Sequence, residues 1–386
     1  MDKLKVLLQK LGIELTADQT KQIGEVVEKE FVPAAEATAN KTKLDELTKQ
    51  LAARDKDLAK LKADNKSEEL QKQLDETKQA DEKEESAEKL KLEPFMRLLK
   101  AVHSLGEPEA MTSEDLEKQR RAQDALGNMA ASMSGLVWEP FELGGMQAAW
   151  MRLEREHRRR RVILYCHGGG YTSGGLGFSK VLASKLCRAT GMDVLAFDYR
   201  LAPEHPYPAA IEDGQAAWDH LMHMGFGARD IVLAGDSAGG NLALVLCLKL
   251  RSEGRMLPGA LLLMSPWTDM TMSGESLRER AGIDPALTPE YMAAVRAAYA
   301  GDMDPSLPQF SPLFADFSGF PPTLVQVGTH EILFSDAERL AENMRAAGVE
   351  VRLEVWDRMW HDFQMYPSRS ASAAMQNTAH FLLENI

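Results

Sequence analysis

The stretch AGDSAGG, residues 234–240, sets one serine among small residues: Gly235, Ala238, Gly239 and Gly240 all keep bulk away from Ser237. The apolar run Ile231-Val232-Leu233 precedes it and Leu242-Ala243-Leu244-Val245-Leu246 follows, so the chain passes from strand-like to helix-like residues across the serine. The spacing fits G-x-S-x-G, in which a sharp strand-to-helix turn holds a hydroxyl out in strained geometry as a nucleophile. An ordinary strand–helix junction is the competing reading, and only partners for the serine separate the two. A second stretch, HGGGY at 167–171, ends another apolar run. Consecutive glycines let backbone N–H groups approach an anionic oxygen that any Cβ would hold away. A phosphate cradle is the alternative, but no G-K-[ST] and no spaced G-x-G-x-x-G follows that strand, so beside Ser237 the loop reads as an oxyanion hole.

A serine nucleophile needs a base and an acid. His361 in MWHDF stands just past the strand-like VRLEVW, downstream of the serine, where a base is expected. The acid belongs between them, after the penultimate strand. There VQVGTHEILFSD offers Glu331 and Asp336, with His330 beside them. Glu331 is nearer the strand end and is the expected acid. Asp336 falls at the start of a helix carrying Leu340 and Met344, where helix capping accounts for it.

These residues need elements to carry them. MTSEDLEKQRRAQDALGNMAASM reads as a helix capped by Thr112 or Ser113, and MQAAWMRLE reads as a strand. After it, RVILYCH, MDVLAFDY and DIVLAG are each followed by a helical stretch, GALLLMS by an interruption, and PTLVQVG and VRLEVW again by helices. Strands buried on both faces and separated by helices mean a parallel sheet in an α/β layer. The interruption, about Met270 to Pro308, is rich in Met, Ala and Arg and is a candidate lid above the sheet.

The first 92 residues differ in kind. Phe31 and Phe95 are the only aromatics before Trp138. Leu4, Leu7, Leu8 and Leu11 fit one helical stripe, and Thr16 with Gln19 can cap a second helix that Pro33 closes. Leu44, Leu47, Leu51, Leu58 and Leu61 follow a three-four spacing expected of a short coiled coil or a lone charged helix, and residues 67–91 read as a solvated helix or linker. The expected organisation is a helical, coiled-coil-like extension over 1–92, with homo-oligomerisation as its candidate role, and a globular domain over 93–386.

Of 386 residues, 44% are hydrophobic and the formal net charge is -13. That charge argues against nucleic acid or an anionic membrane as main partner. The basic run Arg158 to Arg161 reads as a solvated turn rather than a phosphate site. No apolar run approaches the length of a membrane span, and the lysine-interrupted start is a poor secretory signal. Cys166, Cys187 and Cys247 lie far apart in apolar contexts, which suggests buried thiols in a reducing compartment, cytoplasmic by default, and neither a disulfide framework nor a zinc site.

HGGGY at 167–171, DYRLAPEHPYPAA at 198–210, GDSAGGN at 235–241 and SPWTD at 265–269 together resemble the hormone-sensitive lipase family of α/β hydrolases, its HGGG/GDSAG carboxylesterase branch, in family order from about Met111 to the C-terminus. The resemblance implies an α/β-hydrolase fold with a mostly parallel central sheet and a helical cap from about 111–134 and 270–307. It implies Ser237 as nucleophile, His361 as base, and the N–H groups of Gly169, Gly170 and Ala238 as oxyanion donors, with His167, Gly168 and Asp236 supporting the motifs. It further implies short to medium acyl esters as small-molecule substrates, with no metal or organic cofactor. One position departs: the family's aspartate sits in D-P-L-x-D-E, whereas Glu331 begins E-I-L-F-S-D here, which keeps Asp336 as a rival. Two other classes remain to be weighed, a catalytically dead receptor on the same scaffold, which would lack a triad member, and a structural module carrying a passenger esterase. The first quarter is similar to the N-terminal part of phage minor structural or scaffold proteins.

Overall fold

Strands buried on both faces cannot alternate in polarity, and four of the runs above show why they are unbroken. In the computed structural model, which describes residues 113–132, 136–154 and 161–386, β3 (Val162–Cys166), β5 (Ile231–Asp236), β6 (Ala260–Met264) and β7 (Thr323–Gly328) are buried along their whole lengths. The expected N-terminal helices, coiled coil and linker, and all of the basic run but Arg161, lie outside the described residues.

With β1 (Val137–Leu143), β2 (Met146–Arg152), β4 (Asp193–Phe197) and β8 (Val351–Trp356), these form an eight-stranded sheet in the order β1-β2-β4-β3-β5-β6-β7-β8. Pairing is antiparallel from β1 to β4 and parallel from there to β8. β3 is flanked by β4 and β5, so successive connections leave it in opposite directions. The loops after β3 and β5 therefore open side by side at the carboxyl edge, where ligands bind such sheets. The register sets Cys166 opposite Gly235 and Asp236 opposite Met264.

Side chains along β3 alternate between two cores. Leu164 and Cys166 face the layer of α3 (Ala209–His223), α4 (Ala238–Ser252) and α7 (Phe334–Ala346), whereas Ile163 and Tyr165 face α2 (Leu176–Thr190) and α8 (Arg369–Asn385). A fully buried Leu or Ile in such a layer stabilises by about 1.5–3 kcal/mol relative to exposure. Cys166, Cys187 and Cys247 are buried thiols, as expected. Among the described residues no helix is long and apolar enough to cross a membrane.

The sequence reading misses β1. Its residues VWEPFEL contain Glu139 and Pro140, and it is half exposed as an edge strand, where a proline lacks no ladder partner. A tight turn with Gly144 and Gly145 both at positive φ joins it to β2.

Two segments cover the carboxyl edge. The expected helix is α1 (Ser113–Ser132), whose Arg120 donates to Thr172 O and Ala202 O at 2.8 and 3.0 Å, and whose Asp124 accepts from Phe178 N at 3.1 Å. The interruption after β6 holds α5 (Ser276–Glu279) and α6 (Pro289–Ala300). Proline at the first position and Thr288 Oγ1 accepting from Tyr291 N at 3.2 Å start α6.

Candidate active site

Ser237 sits between β5 and α4 at φ 51° and ψ -120°, a conformation L-residues rarely adopt and one that costs roughly 1–3 kcal/mol. Its neighbours explain how the turn closes. A Cβ on Gly235 would stand 2.2 Å from Gly239 O, and one on Gly239 would stand 2.1 Å from Cys166 O and 2.5 Å from His167 O. The first contact lets the chain double back; the second lets α4 approach the end of β3. Ser237 N donates to Met264 O at 2.9 Å, tying the turn to the adjacent strand. Ala238 is the first residue of α4, so its N–H is not consumed by the helix and lies at the positive end of the helix dipole.

The HGGGY loop leaves β3 beside this turn. Gly169 (φ 112°) and Gly170 (φ 61°) hold conformations that suit glycine, and Gly169 O accepts from Thr172 N and Ser173 N at 3.1 and 2.9 Å. The N–H groups of Gly169 and Gly170 take no part in those bonds. Val295 of α6 packs about 3 Å from where a Gly170 Cβ would be, so the insertion rests directly on the loop. The motif's supporting residues are structural. His167 stacks on Tyr199 with centroids 4.1 Å apart, its Nδ1 lies 2.8 Å from Gly168 O, and burial pushes its pKa down to about 4, which keeps it neutral. Asp236 Oδ1 accepts from Tyr165 Oη at 2.5 Å and Gly168 N at 3.1 Å, bracing the start of the glycine loop against the serine turn.

His361 lies on the loop after β8. Gly328, ending β7, would place a Cβ 2.1 Å from Met359 O, and His330 N donates to Met359 O at 2.8 Å; the histidine loop therefore crosses against the acid loop. There His361 Nδ1 faces Glu331 Oε2 at 3.1 Å, and Glu331 Oε1 accepts from Gly328 N at 2.5 Å and Ser265 Oγ at 3.0 Å. Both residues are buried. A carboxylate pinned by two donors on one oxygen can orient an imidazole through the other.

Asp336 lies elsewhere. Its Oδ2 accepts from Thr268 N at 2.7 Å and Asp269 N at 2.8 Å, holding the SPWTD turn, and nothing joins it to His361. The capping expectation needs correction. Asp336 is in the first turn of α7, but the N-cap is Leu333, whose side chain offers no acceptor, and the Asp336 carboxylate reaches outward to a segment 68 residues away. Burial pushes its pKa up to about 7, against the lowering effect of those backbone donors.

Three neighbours of the site were not singled out in the sequence. Ser265, at φ 44°, donates to Glu331 and accepts from Asp362 N at 3.2 Å. Asp362, at φ 52°, sets Oδ2 3.1 Å from His361 Nε2, so that nitrogen faces the carboxylate of its own neighbour. Asp284 is buried near His361. Ser265 and Asp362 lie inside SPWTD and MWHDF; Asp284 carries no motif signal. Burial disfavours a charged His361, yet Asp362 and Glu331 outweigh it and hold the imidazolium well above the usual histidine range. Among the described residues no cluster of three or more His, Cys, Asp or Glu is arranged to hold a metal ion.

Residues 163–365 match a family of the alpha/beta hydrolase fold. An esterase of Acinetobacter venetianus is 38% identical over 245 residues, 63% of this chain and 80% of that one. An acetyl-hydrolase of Streptomyces hygroscopicus is 37% identical over 246 residues, 64% of this chain and 80% of that one. Among solved structures, an esterase from the bacterial hormone-sensitive lipase family superposes with a TM-score of 0.69 at 36% identity, over 76% of this chain and 98% of that chain.

Proposed function

The chain is an esterase that belongs to the hormone-sensitive lipase family of α/β hydrolases, and on that premise we propose that it is a serine carboxylesterase for short to medium acyl chains, with Ser237, His361 and Glu331 as nucleophile, base and acid. The observation that carries this reading is the buried Glu331–His361 pair at 3.1 Å, at the same edge of the sheet as a serine held at positive φ.

Asp362 first yields Nε2. Ser237 Oγ then attacks the ester carbonyl and its proton passes to Nε2, while Glu331 holds the Nδ1–H tautomer and stabilises the imidazolium. The carbonyl oxygen becomes an oxyanion that accepts from the N–H groups of Gly169, Gly170 and Ala238. Collapse expels the alcohol with the proton from Nε2 and leaves an acyl-serine. Water then attacks with His361 as base, and the carboxylic acid departs as Ser237 regains its proton. Two or three such donors supply the largest single part of the acceleration; removal of one in comparable sites costs about 10²–10³ in kcat.

Met, Ala and Val of the insertion favour an adaptable apolar acyl site of modest size. Turnover should peak between acyl chains of about two and eight carbons, a range carried by the family resemblance, and faster hydrolysis of long-chain emulsions than of butyrate esters would contradict it. Buried thiols support a reducing, cytoplasmic setting. The decisive test is Ser237→Ala, measured with p-nitrophenyl butyrate and with a fluorophosphonate label. Hydrolysis and labelling should both vanish while circular dichroism is unchanged; an unaltered rate ends the serine-hydrolase reading.

A further inference from the structure

Glu331 is held from a second side, by residues that no motif marks. In the insertion after SPWTD, Asp284 Oδ2 accepts from Ile332 N, the residue after Glu331, at 2.8 Å. Its Oδ1 accepts from Ala286 N at 2.8 Å and Leu287 N at 3.1 Å, so both carboxylate oxygens are used. Ser276 Oγ donates to Ile332 O at 2.6 Å and accepts from Ser335 N at 2.9 Å, while Ser276 N donates to Ser335 Oγ at 2.9 Å. Arg280 donates to Thr329 O and lies over the Phe334 ring at 3.6 Å. Residues 329–335, the loop that carries Glu331, are thus gripped at Thr329, Ile332 and Ser335 by one short stretch, 276–284.

Asp284 is buried as completely as the core (2% exposed), and burial pushes its pKa up to about 6 against the lowering effects of the nearby His361 charge and of its backbone donors. Its placement matters because a carboxylate orients an imidazole only within a narrow geometry: an ångström of drift at a positioned catalytic group can cost about 10²-fold in rate. Gly328 N and Ser265 Oγ fix the carboxylate oxygen of Glu331, while the next backbone N–H, that of Ile332, is taken by Asp284.

We propose that Asp284 is the positioning residue of the catalytic acid, with Ser276 and Arg280 completing a clamp through which the insertion sets the Glu331 loop. The inference rests on Glu331 being the triad acid. It also means that the segment covering the glycine loop and the segment setting the acid are one, so displacing the insertion disturbs substrate contacts and triad together.

The test is a double-mutant cycle on the full chain, with kcat and KM for p-nitrophenyl butyrate measured well below each variant's melting temperature. Asp284→Ala should lower kcat about ten- to hundredfold with KM changed less than about threefold, and Asp284→Asn, whose single carbonyl oxygen can serve Ile332 N or the Ala286 and Leu287 N–H groups but not both sides, should recover only part of that loss. In the Glu331→Gln background Asp284→Ala should cost less than about threefold more, because its route to the chemistry is already gone. Ser276→Ala, which removes the hydroxyl held between Ile332 O and Ser335 N, is read alongside and covers the case in which Asp284→Ala does not fold. Losses that multiply in the double mutant, or clamp variants with normal kcat beside a dead Glu331→Gln, overturn the positioning role and leave the triad standing. A wild-type rate in Glu331→Gln refutes the triad assignment, and the clamp's role with it.

Discussion

Glu331→Gln isolates what the proposed acid does, because glutamine keeps the shape and removes only the charge and one acceptor. Two donors, Gly328 N at 2.5 Å and Ser265 Oγ at 3.0 Å, converge on Oε1. The amide oxygen must stay there, since turning the NH2 toward Gly328 would leave a buried donor facing a donor, at about 1–3 kcal/mol. The NH2 then points at His361 Nδ1, 3.1 Å away, and donates to it. An Nδ1 that accepts forces the proton onto Nε2, and a protonated Nε2 cannot take the serine proton. Loss of the correct tautomer in a Ser-His-acid triad lowers kcat by roughly 10²–10⁴, or about 3–5 kcal/mol in the barrier at 1.36 kcal/mol per tenfold. The assay is initial-rate hydrolysis of p-nitrophenyl butyrate across pH, with thermal unfolding as a control. Raising the pH should not rescue the variant, because the fault is the site of the proton and not its affinity. A near-wild-type Glu331→Gln beside a dead Asp336→Asn would refute the assignment of the acid while leaving nucleophile and base intact.

Asp362→Asn removes one of the two carboxylates that raise the His361 pKa, so the acidic limb of the kcat/KM profile should move to lower pH; an unmoved limb would mean that Asp362 does not face Nε2 in solution. The raised folded pKa of His361 contributes stability that is full below the unfolded histidine value and fades as pH climbs through the folded one, so the same variant should unfold more easily at acid and neutral pH, in a urea titration, with the difference closing at alkaline pH. Asp336→Ala should cost about 1–3 kcal/mol in the same titration by leaving Thr268 N and Asp269 N without their acceptor, with activity within a few fold. Asp336→Asn keeps that acceptor. It should also flatten a pH slope, because a carboxyl raised to about 7 in the fold holds its proton where the unfolded chain has lost it, so its contribution is full below about 4 and is lost as pH rises to about 7.

The fold was legible where burial is two-sided. β3, β5, β6 and β7 each read as an apolar run because both faces are covered, and helical stretches between them leave a parallel sheet as the natural reading. β1 escaped because an edge strand needs neither continuity nor alternation. Its glutamate and proline are tolerated on a half-exposed rim, and nothing local separates such a segment from a loop. The glycines of AGDSAGG were legible as a small-residue requirement. What each one admits, Gly239 O for Gly235 and Cys166 O for Gly239, is a backbone from another part of the turn or another strand, and only the structure names it.

The site divides along the same line. Ser237, Glu331 and His361 stand in loops after β5, β7 and β8, and chain order alone brings such loops to one edge of a parallel sheet, so their types and order were enough to single them out. Asp336 was misjudged because capping is a rule about the next few residues, while its carboxylate is spent on donors 67 and 68 residues away. Asp284 and Ser276 act across 48 and 56 residues through backbone atoms, which any sequence could offer. A polar side chain that binds backbone therefore leaves no complementary residue type to find. Its only local trace is the side chain itself: an aspartate such as Asp284, in AGIDPAL, has no reason to be buried unless donors meet it there, and locating those donors requires the fold.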